Sequence, residues 1–347
     1  MPQTQPDMIR PGYSYFYQYP SVGKEDWHYA FQAAQVRTLE LQMLSHAVLV
    51  DMANAPDLAS AFSLLSGTEY TLPQGAGGVQ VETTLRQQRE AVRSTFEDLM
   101  PDERIVEIFR SRDDFANVRL AVRRVVTDRP IGEDYSTEGN VPPDVVREAF
   151  EEQAYTGLPD FVQHAAEEAA LAYYQNKDIR QIDYAVDRVQ AEYQLRAASQ
   201  TGGVFLPNLF RIAIDLTNIR TMLRLKFVES DQWELFLPGG FVDLDYLRQG
   251  LDLGHDALGQ VFFGTPYNQI VETGAAYLAS DGSFLKLEQQ CDEYTMGFLR
   301  QTGQITAGPQ PVIAYLLMKE QEIRTVRLIL TAQRNNLDTK LILDRFV

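Results

Sequence analysis

From Trp27 to Ala53 the apolar positions Val36, Leu39, Met43, Ala47 and Val50 recur at steps of three and four, and Leu44 and Val48 widen the stripe. That period predicts one helix with a buried face. Ala55-Pro56-Asp57 interrupts it, and a second helix is predicted through Leu58, Phe62 and Leu65 up to Gly67. Helix, short break and helix alternate along the rest of the chain. Strict two-residue alternation is almost absent, and Ala, Leu, Gln, Glu and Arg fill the periodic stretches, so the predicted fold class is all-α. Two longer breaks stand out. One runs from Thr127 to Pro143 through Arg129-Pro130, Gly132, Gly139-Asn140 and Pro142-Pro143; the other runs from Ser230 to Gly240 and ends in Pro238-Gly239-Gly240. They divide the chain into an N-terminal arm read as flexible (1–26), a first helical repeat (27–128), a loop (129–143), a second repeat (144–229), a loop (230–240) and a third repeat (241–347).

The repeats are visible as residues. Asp114-Phe115-Ala116-Asn117-Val118-Arg119-Leu120-Ala121-Val122-Arg123 returns as Asp215-Leu216-Thr217-Asn218-Ile219-Arg220-Thr221-Met222-Leu223-Arg224, with every charged or amide position matched. A drifted third copy, Glu322-Ile323-Arg324-Thr325-Val326-Arg327, aligns Glu322 with Asn218 and Arg324 with Arg220, its second Arg arriving one residue early. A second element precedes each copy: Val81-Glu82-Thr83-Thr84-Leu85, Ile182-Asp183-Tyr184-Ala185-Val186 and Leu287-Glu288-Gln289-Gln290-Cys291 share an acid between apolar residues at one spacing. Two motifs kept in order and separation over three copies mark an internal repeat.

Arg119 and Arg123 are four residues apart and share a helix face, as do Arg220 and Arg224; Arg324 and Arg327 use the three-residue step. The stretch between acid and arginines accommodates one helix, a turn and the start of the next. The expectation is therefore a clasp inside each repeat: Glu82 with Arg119 or Arg123, Asp183 with Arg220 or Arg224, and Glu288 with Arg324 or Arg327. If such pairs are buried, deleting one partner costs about 3–5 kcal/mol.

Charge narrows the partners. The 31 Lys and Arg stand against 48 Asp and Glu, and the net charge of -17 repels phosphates and anionic lipid headgroups. No nucleic acid and no direct lipid insertion are expected. The longest apolar run near the C-terminus, Pro311 to Met318, falls far short of the roughly 20 residues that cross a bilayer. The first residues, rich in Pro, Tyr and Gln, lack the basic and apolar regions of a secretory signal. The single cysteine, Cys291, rules out an intrachain disulfide, suits a reducing compartment and reads as a small packing residue.

The stretch Gly308-Pro309-Gln310-Pro311-Val312-Ile313-Ala314-Tyr315-Leu316-Leu317-Met318-Lys319-Glu320-Gln321-Glu322-Ile323-Arg324 resembles the C-terminal signature of one family, the central-stalk C subunit of prokaryotic V-type and A-type rotary ATPases, whose eukaryotic counterpart is the d subunit. Asp215 to Lys226 resembles the second-repeat helix of that family. Tyr29 to Tyr70 adds a further match through Gln35-Val36-Arg37-Thr38-Leu39-Glu40 and Ala55-Pro56-Asp57-Leu58. The resemblance implies three similar helical domains in a pseudo-threefold, funnel-shaped socket. It also implies two partners, the central axle subunits and the membrane proteolipid ring, with torque transmitted between them and a peripheral place on the cytoplasmic side of the membrane. The Tyr-rich arm and the Gly75-Ala76-Gly77-Gly78 stretch depart from the pattern.

Chemistry of the chain's own is not expected. No Gly-rich phosphate loop ends in Gly-Lys-Ser/Thr, since Val22-Gly23-Lys24 continues with Glu25. His28, His46, His164 and His255 show no ligand spacing, and no Gly-x-Ser-x-Gly elbow occurs. No cofactor, metal or catalytic residue is therefore assigned. Two alternatives remain: a generic helical-repeat scaffold, whose usual period is much shorter, and a magnesium-dependent enzyme like the all-α terpene synthases, suggested by Asp113-Asp114. The continuation Phe115-Ala116-Asn117 lacks the later aspartate of that motif, and Asp114 has a repeat counterpart in Asp215.

Overall fold

The computed structural model describes residues 19–72, 75–254 and 257–346. Helix is the only regular structure among them, and no strand occurs. After a short 3-10 turn at Trp27–Tyr29 come α1 (Ala30–Glu40), α2 (His46–Ala53), α3 (Leu58–Ser63), α4 (Gly78–Leu99) and α5 (Glu103–Val126). These are followed by α6 (Pro143–Glu151), α7 (Asp160–Asn176), α8 (Arg180–Gln200) and α9 (Phe205–Phe227). The last group is α10 (Leu244–Asp252), α11 (Leu258–Phe262), α12 (Asn268–Asp281), α13 (Leu285–Arg300), α14 (Pro309–Arg334) and α15 (Thr339–Phe346).

Local chemistry explains most boundaries. Asp57, Ser45 and Asp102 accept hydrogen bonds from the first-turn N–H groups of Ser60, Val48 and Arg104, capping α3, α2 and α5. Pro143 and Pro309 open α6 and α14, where a missing N–H costs nothing. The two long breaks read from the sequence fall between α5 and α6 and between α9 and α10. The first predicted helix requires correction: the stripe from Trp27 to Ala53 is cut at residues 41–45, where Ser45 starts a new helix, and Ala47 of the supposed buried stripe is exposed. The arm is also corrected from Tyr19 onward. Tyr19 packs on Tyr294 and Phe298 with its hydroxyl over Gly297, and Gln310 donates to the carbonyls of Val22 and Lys24. Residues 1–18 lie outside the described residues.

The chain forms two compact units, 102–251 and the pair of segments 1–101 and 252–347. In the unit 102–251, α5 packs against α6, α7 and α8, α7 runs along α8, and α8 along α9. Phe115, Val118, Ala121 and Val122 of α5 meet Val146 and Phe150 of α6, Val162, Ala165 and Ala169 of α7, and Ile182, Val186 and Val189 of α8 in one core. In the other unit α14 packs against α2, α3 and α4, with Leu85, Val92 and Phe96 of α4 and Val312, Ile313, Leu316, Ile323 and Val326 of α14 buried. The arrangement is the same in both: a long helix near the end of one sequence copy is covered by three successive helices of the next. For α14 the next copy is the first.

Phe115 is fully buried between Phe161, at 5.5 Å, and Tyr193, at 5.9 Å between ring centres. Phe115→Ala is expected to lower unfolding stability by about 3–5 kcal/mol. A shifted denaturation midpoint at unchanged slope is the signature.

Candidate functional site at the junctions between copies

The repeated Asp and Asn sit on the buried side of α5 and α9, and each holds the loop that leads into the next copy. Asp114 accepts the Val141 N–H at 2.9 Å and the Asn140 side-chain amide at 2.8 Å. Asn117 brackets Ser136, accepting its N–H at 2.8 Å and donating to its carbonyl at 3.0 Å. One copy later Asp215 accepts the N–H groups of Val242 and Phe241, both at 3.0 Å, and Asn218 brackets Leu237 at 2.7 and 2.8 Å. All four side chains are buried. A buried loop must find partners for its backbone groups, and these two residues supply them. Gly139 and Gly240 occupy matching places in the two loops, where a Cβ would land on Oδ1 of Asp114 or Asp215. Burial pushes the Asp114 carboxyl above the usual carboxylate range, against the opposing pull of the Val141 and Asn140 donors.

The third junction does the same work with different residues. On α14 the place of the Asn is taken by Glu322, and Lys319, three residues earlier, stands where the other copies carry Asp. Glu322 accepts the Leu44 N–H at 2.6 Å and the Tyr70 hydroxyl at 2.6 Å. Leu44, Val141 and Val242 each lie two residues ahead of the first helical residue of α2, α6 and α10, so the three clamps grip the same point of the repeat. Lys319 bonds Glu322 at 2.7 Å and Glu69 at 2.8 Å. Lys319 and Glu322 are 1% and 3% exposed as side chains, a fully buried ion pair. Burial alone would lower the Lys319 value, but Glu322 and Glu69 outweigh it and hold the ammonium above the ordinary lysine range. Burial, then the negative charge of Glu322, pushes the Tyr70 phenol far up.

Two of the three predicted acids, Asp183 and Glu82, pair with arginines other than those expected. Asp183 of α8 pairs with Arg119 of α5, at 3.3 Å, and with Arg123; Asp187, one turn further along α8, also takes Arg119. Glu82 of α4 pairs with Arg327 of α14 at 3.1 Å. Each of these acids thus meets arginines of the preceding copy, counted cyclically, where the expectation turned Asp183 to Arg220 or Arg224 and Glu82 to Arg119 or Arg123. The reason is the packing: α5 is covered by α6 to α8, and α14 by α2 to α4. Of the other predicted residues, Arg220 and Arg224 lie on α9, Glu288 on α13 and Arg324 on α14. The clasp side chains are 26% to 54% exposed, which places them with partly solvated pairs of about 0.2–1 kcal/mol and not with buried ones. Lys319, Glu69, Tyr70 and Asp187 were not singled out by sequence. A lysine directly after the apolar run Pro311 to Met318, on a helix buried on most sides, was the available signal, as was the four-residue step from Asp183 to Asp187.

Both oxygens of Asp114 are taken by the loop clamp, and Asp113 accepts the Ser136 hydroxyl at 2.9 Å. Among the described residues no three His, Cys, Asp or Glu side chains gather as a metal site, and no helix is long and apolar enough to cross a membrane. Cys291 is buried.

The family described as ATP synthase (C/AC39) subunit matches residues 33–345, a span that takes in every junction and clasp. The chain belongs to this family. The C subunit of the V-type sodium ATPase of Enterococcus hirae is 24% identical over 315 residues, covering 89% of this chain and 95% of that one. The C subunits of the A-type ATP synthases of Thermococcus onnurineus and Methanocaldococcus jannaschii are 25% and 21% identical, covering 87% and 89% of this chain and 85% and 84% of theirs. This member of the C/AC39 family therefore matches its relatives along nearly its whole length.

Two outcomes test the junctions. Gly240→Ala should lower stability by about 1–3 kcal/mol through overpacking against Asp215, while Gly203→Ala, with open space around it, should stay near neutral. Lys319→Met strands Glu322 and Glu69 and should cost about 3–5 kcal/mol at neutral pH. Because folding raises the Lys319 value, its contribution is complete below the unfolded lysine value of roughly 10.4 and is lost as pH rises through the folded value. Chemical denaturation from neutral to strongly alkaline pH should therefore show a shallower decline in Lys319→Met than in the parent.

Proposed function

We propose that the chain is the non-catalytic central-stalk subunit of a V/A-type rotary ATPase or ATP synthase, joining the axle to the proteolipid ring and transmitting torque between them. Family membership over residues 33–345 carries this reading. The relatives are named as subunits of a sodium ATPase and of ATP synthases, so a proton- or sodium-translocating complex is the setting, with nucleotide chemistry on partner subunits. In this reading the three repeats, 27–128, 144–229 and 241–347, form the three domains of a pseudo-threefold socket that sits peripherally on the cytoplasmic side. The cyclic order of the junctions supports it: α14 engages the first copy as α5 engages the second. Torque transmission requires that neighbouring helices do not slide. A loop pinned through its backbone by buried Asp, Asn or Glu resists sliding better than apolar contact, because any shift strands polar groups in the interior.

The direct test is gentle purification of the tagged full-length chain from its own membranes. Recovery with axle subunits and a proteolipid ring is expected; repeated recovery of the chain with neither, from membranes that retain an intact rotary ATPase, would overturn the proposal.

A further inference from the structure

Two junctions between copies are also covalent. Residues 127–142 run from α5 into α6, and residues 228–243 from α9 into α10. The junction of α14 with α2 has no such link. Its Leu44–Glu322 bond closes 278 residues, against 27 for Val141–Asp114 and for Val242–Asp215. Ordering a longer loop costs more chain entropy, so this junction depends on contacts that chain continuity does not supply. It has them in the Tyr70 hydroxyl on Glu322, in the Lys319 ammonium on Glu69, and in α15.

After α14 the chain reverses through Asn336, in the left-handed region at φ 51°, and Leu337 donates back to the Ala332 carbonyl. This is where the other copies begin their link to the next. Here the chain folds into α15, which packs on α13, α14 and α2. Arg345 pairs with Asp292 of α13 at 2.9 Å, Asp344 accepts the Tyr277 hydroxyl of α12 at 2.7 Å, Ile342 is buried, and the Phe346 ring lies 6.3 Å from that of His46 on α2. Beside α15 lies a cavity of about 270 Å³, lined by Leu44, Leu49, Met296, Met318 and Phe346 among others. Leu44 and Glu322, the two halves of the clamp, both face it. The junction is thus incompletely filled at the point where α15 covers it.

We propose that α15 is a strap that replaces the missing covalent link, and that the α14–α2 junction is a seam that opens when the strap lifts. Opening releases α2 from α14 by freeing Phe346 from His46 and exposing the Leu44–Glu322 bond to water. Neither covalently continued junction can open by the same route.

Hydrogen exchange of the full-length chain tests the strap against a chain ending at Leu337, read on α2 (46–53) and on α6 (143–151) as the covalently linked counterpart. Removal of α15 should speed α2 exchange about tenfold or more and leave α6 within twofold. Unchanged α2 exchange, or equal acceleration of both helices, overturns the proposal. Should the shortened chain not fold, Arg345→Ala with Phe346→Ala in the full-length protein carries the same readout: faster exchange confined to α2 supports the strap, and either of the other two results overturns it.

Discussion

α5 and α14 bury polar side chains that helices and loops of the next copy cover, and from that constraint most of the structure follows. α5 carries Asp113, Asp114, Asn117 and Ser111 among its buried residues, and α14 carries Gln310, Lys319, Glu320 and Glu322. Polar groups at such depth need fixed partners. For Asp114, Asn117 and Glu322 those partners arrive with the next copy, largely as backbone groups just ahead of α6 or α2. One set of bonds therefore satisfies the last helix of one copy and the entry loop of the following copy together. The apolar contacts of Phe115 or Val326 supply most of the burial, but the clamps set the register at which it occurs.

This division explains what could be read from the sequence and what could not. Helical class, the two long breaks and the repeat rest on periodicity, Pro and Gly, and matched residues, all of which act locally. Asp114 with Asn117 and Asp215 with Asn218 stand out for the same reason: they are one turn apart on one face. Their partners are mainly backbone groups further along the chain, and a backbone N–H leaves no trace in a residue alphabet. The clasps show the limit from the other side. Spacing put Arg119 and Arg123 on one face, which the structure bears out, yet it could not say which neighbouring helix that face meets. The interval from Glu82 to Asn117 suggested a partner inside the copy; packing of α5 across α8 joined Arg119 and Arg123 to Asp183. Leu41 to Ser45 shows tertiary context overriding a helical stripe, since the Leu44 N–H is drawn to Glu322 and Ser45 caps the helix that restarts.

The drift of the third copy has a physical logic. Replacing the Asp of the motif by Lys319 and the Asn by Glu322 exchanges both residues, and the Leu44 N–H then goes to the longer carboxylate one turn along α14. A buried ammonium needs counter-charge, and Glu322 and Glu69 provide it. The formal charge of the clamp residues is the same in all copies: minus one for Asp114 with Asn117, minus one for Asp215 with Asn218, and minus one for Lys319 with Glu322 and Glu69. The substitution keeps the acceptor that the entry loop requires while adding two ionic contacts.

Those added contacts fall at the one junction that chain continuity does not help. An isolated buried ion pair is poor evidence of stability, because desolvation opposes the Coulombic gain and an apolar replacement often does as well. Its value here is geometric. Lys319 holds Glu322 at the position where the carboxylate reaches both Leu44 and Tyr70, residues far apart in sequence from α14 and from separate segments of the first copy. An apolar pair at the same place would fill the volume but leave the Leu44 N–H without an acceptor, and α2 without a fixed register on α14. For a part whose proposed work is to resist relative motion of its helices, the register is what the charge secures.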